Sequence, residues 1–123
     1  SVPSQLRQWP VKLKLVSPAA GYFANAHLLL AADCAPFACA DFHQSFLKDK
    51  SLIIVCPKFE EMPANIQKLT SICAANDILS ITVAHMEVPC CFGLAHLAQA
   101  AVQQSGKEIP VTVKIVGIRG DVG

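Results

Sequence analysis

Residues 81–94, Ile81-Thr82-Val83-Ala84-His85-Met86-Glu87-Val88-Pro89-Cys90-Cys91-Phe92-Gly93-Leu94, decide how the chain is read. A short apolar run enters this stretch, and the segment leaving it places Leu94, Leu97, Ala98, Ala101 and Val102 at helical spacing. The paired cysteines therefore fall where a buried strand hands over to a helix. In α/β proteins that junction is where ligands and chemistry collect. Helix N–H groups and the positive end of the helix dipole favour the thiolate, the form of sulfur that attacks and binds metal. A disulfide between neighbours would strain the ring geometry, so the two thiols are expected to face separate partners.

Outward from this junction, the same alternation repeats. Leu28–Ala32 and Leu52–Val55 are continuous apolar runs, as strands buried on both faces require, and a further buried strand is expected over Leu79–His85. Val11–Val16 and Val111–Ile115 alternate apolar with polar residues and read as half-buried strands near the sheet edges. Helices are expected over Phe37–Lys48, with Ala38, Phe42 and Phe46 inward, and over Met62–Ala75, with Met62, Ile66, Leu69, Ile72 and Cys73 inward. Gly106 stands where a helix C-cap glycine belongs. The pattern predicts an α/β fold: a single three-layer domain spanning residues 1–123, with a mostly parallel sheet of about five strands and helices on both faces, a Rossmann-like arrangement.

The 123 residues suffice for a real core, so neither disulfides nor a metal are needed merely to fold. A net charge of +1 with 15% charged residues argues against nucleic acid as a partner. The apolar region Ala26–Phe42 is interrupted by Asp33, Pro36 and Asp41, which argues against a membrane span. Hydrophobic residues make up 53% of the chain, hinting at a covered surface, either a homo-oligomer interface or a contact with another domain. The sequence begins without an apolar signal region, and its six cysteines lack the spacing of a secreted disulfide scaffold. A reducing cytoplasm is the expected compartment.

Because parallel strands end on one edge, Cys34, Cys56, Cys90 and Cys91 are expected at a common rim. Four thiolates at such a rim suit an iron–sulfur cluster or, alternatively, zinc. Glu87 is placed to orient a ligand or act as a base, and Lys58 to balance thiolate charge. Cys39 and His43, four residues apart, would share one helix face as a metal pair, whereas Cys73 on an inner stripe reads as core. His85 and His96 read as structural, although His85 or His43 would serve as base if Cys90 or Cys91 were a catalytic nucleophile. A cofactor-free structural or protein-interaction domain is the remaining reading.

Several segments together carry a family likeness: Trp9-Pro10-Val11 with Leu13-Lys14-Leu15-Val16, Ala31-Ala32-Asp33-Cys34, Asp41-Phe42-His43, Cys56-Pro57-Lys58, and Met86-Glu87-Val88-Pro89-Cys90-Cys91. In this combination the chain resembles the C-terminal domain of ferredoxin-type iron–sulfur-binding proteins of anaerobic bacteria and archaea. The resemblance implies a separated C-terminal domain or stand-alone relative that works with a ferredoxin-like domain or protein in electron transfer. It also implies a cluster held by Cys34, Cys56, Cys90 and Cys91, with Asp33, His43, Lys58 and Glu87 as neighbours. Phe92 departs from the family pattern, which has glycine after the paired cysteines; its ring would crowd a cofactor or cap it from solvent.

Overall fold

The computed structural model describes residues 2–56, 61–88 and 93–123. Four parallel strands, β1 (His27–Ala31), β2 (Ser51–Ile54), β3 (Ser80–Met86) and β4 (Val111–Val116), form one sheet in the order β2-β1-β3-β4. Leu28, Leu29 and Leu30 have no exposed surface, as expected of an interior strand carrying apolar side chains towards both faces. The register sets Ala31 beside Ile54 on one side and Ala84 on the other, so β1 and β2 finish level and β3 runs two residues further.

Two long helices, α2 (Met62–Ala75) and α3 (Gly93–Ser105), pack against each other over the sheet. The connection from β1 to β2 runs across the sheet opposite to the connections that follow it, and right-handed crossovers therefore put its helical turns on the other face. Those turns are α1 (Ala35–Ala38) and a π-helical turn, His43–Leu47. The three-layer, Rossmann-like architecture expected from the alternating pattern is present.

The sheet has four strands rather than five. The segment expected as a strand over Val11–Val16 touches β2 at a single bridge, Lys12 with Ile54, and then turns, with the Leu15 and Val16 N–H groups both donating to the Lys12 carbonyl. Val11, Leu13 and Val16 are buried while Leu15 is exposed, so the strand-like alternation breaks after Leu13. Just upstream, the Gln8 carboxamide does the work of a strand neighbour: Oε1 accepts from the Leu52 N–H at 3.1 Å and Nε2 donates to the Leu52 carbonyl at 2.6 Å. The edge of β2 is thus closed by a side chain and one backbone bridge.

The helix expected over Phe37–Lys48 is broken. Cys39 adopts an extended conformation, φ −100° and ψ 107°, and ends α1. An unbroken twelve-residue helix would run about 18 Å, whereas a four-residue strand such as β2 covers about 13 Å. Splitting the segment shortens the return path, and Phe42 and Phe46 still stack with ring centroids 5.3 Å apart.

α2 keeps its expected inner residues Leu69, Ile72 and Cys73 fully buried, and Asn65 joins them while Met62 and Ile66 are only partly covered. Its C-terminus is closed by Asn76, whose Nδ2 donates to the carbonyls of Ile72 and Pro18, and by Lys107, whose Nζ donates to the Asn76 carbonyl at 2.8 Å. Gly106, at φ +75°, follows α3 as expected of a helix-ending glycine. No helix among the described residues is long and apolar enough to cross a membrane.

Beyond β4 the chain folds back. Gly117 to Asp121 makes a tight turn, Val122 bridges Val116 in antiparallel fashion, and Ile115 and Gly123 exchange both backbone hydrogen bonds. The glycine-rich end therefore covers the open edge of β4.

Candidate functional site

In the strand order β2-β1-β3-β4 the chain leaves β1 towards one edge and β3 towards the other. Between these two strands lies the topological switch point, the place at the carboxyl end of an open α/β sheet where ligand crevices ordinarily form. Backbone pairing continues just past the strands there: the Ala32 N–H donates to the Ala84 carbonyl, the Val55 N–H to Ala31, and the Glu87 N–H to Val116. These bonds tie neighbouring strand ends together where the loops begin.

Cys34 follows β1 directly, is exposed, and occupies the N-cap position of α1 without its side chain capping the helix. Cys56 follows β2 and is half-buried, and Asp33, beside Cys34, is half-buried as well. With strands about 4.8 Å apart, the ends of β2 and β3 flank that of β1 across roughly 10 Å. Cys90 and Cys91, which follow β3, lie outside the described residues together with Lys58 and Phe92. Among the described residues no three His, Cys, Asp or Glu side chains form a group that could hold a metal ion.

Glu87 is exposed at the end of β3, and its Oε1 accepts from the Ile118 N–H at 3.2 Å. This bond ties the returning tail to the rim. Gly120, at φ +91°, lies so close to α1 that a Cβ would stand 2.8 Å from the Ala38 carbonyl oxygen. The tail thus contacts the loop after β3 and the helix after β1, a bridging role that glycine-rich composition alone did not announce.

His43 begins the π-helical turn, and its Nδ1 accepts from the Gln5 N–H at 3.0 Å. It lines a surface cavity of about 270 Å³ with Val2, Pro3, Ser4, Asp41 and Gln44. Because α1 ends at Cys39, Cys39 and His43 do not share a helix face, and the expected metal pair on one helix is not formed. Cys39 is buried in the core.

Asn65 escaped the reading of the sequence, and His85, expected as structural or as a base, is buried. His85, the penultimate residue of β3, is 3% exposed, and its Nδ1 lies 2.7 Å from the Met86 carbonyl. A carbonyl only accepts, so Nδ1 carries the proton in this bond. Asn65, in the first turn of α2, is 2% exposed and its Nδ2 has no hydrogen-bond partner among the described residues. The sequence signal for Asn65 was a polar residue at an inward position of the stripe containing Leu69, Ile72 and Cys73. Cys73 itself behaves as core: burial pushes its thiol from the ordinary 9.0 up to about 11, although Lys107 pulls the other way.

The family model that matches residues 20–122 describes a Rossmann-like domain. An uncharacterized protein of Archaeoglobus fulgidus is 34% identical over 118 residues, which cover 96% of this chain and 83% of that relative. No solved structure matches the chain. The ferredoxin-type resemblance thus narrows to a Rossmann-like domain, and neither description names a cofactor.

Proposed function

The chain belongs to the Rossmann-like domain family, and from that membership we propose that its ligand occupies the crevice outside β1 and β3, with Cys34, Cys56, Cys90 and Cys91 holding an iron–sulfur cluster there. The observation that carries this reading is that three adjacent parallel strands end at the same edge of the sheet, each followed within a few residues by a cysteine. The donor set fits in kind, since thiolates are soft ligands suited to iron–sulfur clusters and to zinc. When bound, the cluster would supply one-electron chemistry to a ferredoxin-like partner in a reducing cytoplasm.

The chain's own residues support such a site in three ways. Glu87 and the tail hold the loop after β3 through the bond to Ile118. Asn65 in the first turn of α2 keeps a donor that has no partner among the described residues, and an N–H directed at sulfur would stabilise negative charge on it. Asp33 stands beside Cys34, and His43 and Lys58 remain candidate neighbours through the family likeness.

Iron, zinc and acid-labile sulfide are to be assayed on anaerobically prepared protein and on a Cys90→Ser, Cys91→Ser double variant. Stoichiometric iron and sulfide, lost in the variant, are expected. Stoichiometric zinc without sulfide would replace the cluster by the zinc alternative, and metal-free wild-type protein after reconstitution would overturn both. The position of His85 near the end of β3 supports a second reading, in which Cys90 or Cys91 is a nucleophile with His85 or His43 as its base. That reading requires one cysteine to alkylate far faster than the rest at neutral pH.

A further inference from the structure

The opposite face of the sheet from α2 and α3 carries a second feature, independent of the cysteine rim. A cavity of about 330 Å³ is lined by Ser45 and Phe46 of the π-helical turn, Lys50 before β2, Thr82 of β3, Lys114 of β4 and Val122 of the tail. Its volume is at the lower end of the range of small-molecule sites. All of its charged lining residues are cations: two lysines and no carboxylate.

The location explains why the space exists. Within the described elements, β4 packs on β3 and α3, and its alternate residues Thr112 and Lys114 are exposed on the side away from α3. Interior parallel strands are ordinarily apolar on both faces. Thr82 is instead a half-buried hydroxyl between Ile81 and Val83, which are fully buried, and it opens into this cavity. Among the described residues, neither Lys50 nor Lys114 has a carboxylate at ion-pair distance, and the Thr82 hydroxyl has no hydrogen-bond partner. The Ser45 hydroxyl already donates to Asp41 Oδ2 at 2.8 Å. Three donors, two of them cationic, are therefore left for an incoming group.

We propose that this cavity binds a small organic anion, its carboxylate or phosphate held by Lys50, Lys114 and Thr82 and its apolar part set against Phe46 and Val122. Paired ammoniums and a hydroxyl suit several anionic oxygens better than a neutral polar group, because hydrogen bonds between charged partners are the stronger ones. Phe46 is buried and stacked on Phe42, so the apolar wall is fixed before a ligand arrives.

The test is an amide-resolved NMR titration of the whole chain at constant ionic strength with phenyl phosphate, benzoate, inorganic phosphate and, as the neutral control, benzyl alcohol. Saturable shifts centred on Ser45, Phe46, Thr82 and Lys114 are expected with an aromatic anion, and the arms separate phosphate from carboxylate recognition. A Lys50→Met, Lys114→Met double variant should weaken binding at least about tenfold, equivalent to 1.4 kcal/mol. Thr82→Val, which keeps shape and strand preference, should weaken it several-fold while leaving the spectrum of the free protein in place. Non-saturating shifts, equal binding of benzyl alcohol, or undiminished binding by the folded double variant would overturn the proposal.

Discussion

Replacing Cys73 by alanine should remove a block of alkaline instability. The residue has no exposed surface, and its thiol is raised from 9.0 to about 11 chiefly by burial. A thiol whose folded pKa lies above its unfolded value has no pH-dependent effect while both states keep the proton. As pH rises through 9 towards 11 the unfolded chain ionises first, so the folded state loses stability over that window. Integrating the two titrations gives a loss of about 1 kcal/mol at pH 10 and about 2 kcal/mol at pH 11, approaching about 3 kcal/mol beyond it. Against this stands a pH-independent cost of about 1 kcal/mol for the small cavity left by alanine. Urea unfolding under reducing conditions from pH 8 to pH 11 measures the difference. Wild type should be the more stable protein at pH 8, the order should reverse at about pH 10, and Cys73→Ala should lead by about 1 kcal/mol at pH 11. A gap that stays constant across the range would refute the reasoning, since every other titrating group is common to both proteins.

Three other substitutions probe the supports of the fold. Gln8→Ala removes both hydrogen bonds to Leu52 and should cost about 1–2 kcal/mol in urea unfolding, whereas Gln8→Glu retains the acceptor only and should not restore the loss. Gly120→Ala forces a side chain into a left-handed conformation and against the Ala38 carbonyl; a loss of roughly 2 kcal/mol and faster amide exchange at Ile115 and Gly123 are expected. Lys107→Met deletes the donor to Asn76 at the end of α2 and the positive charge that moderates Cys73. It should lower stability by about 1 kcal/mol at pH 8 and start the alkaline loss of the remaining Cys73 proton at a still higher pH, readable by thiol titration at 240 nm.

The amino-acid pattern by itself determined the alternation of strands and helices. Leu28–Leu30 and Leu52–Ile54 are apolar on consecutive positions, which only strands covered on both faces tolerate, and the spacing of Leu94, Leu97, Ala98 and Ala101 admits only a helix on a sheet. These are local periodicities, carried in neighbouring residues. The core role of Cys73 was legible for the same reason. The failures share a different cause. Whether Val11–Val16 makes a strand depends on a partner edge, and there the Gln8 carboxamide and a turn after Leu13 compete successfully for β2. Whether Phe37–Lys48 stays one helix depends on the distance it must return, set by the length of β2. The placement of Asn65 and His85 in buried surroundings, the bridge from Glu87 to Ile118, and the meeting of Lys50, Thr82 and Lys114 join residues far apart in the chain. No local period encodes such meetings; they follow from strand order, register and the right hand of the crossovers, and so only the tertiary structure decided them.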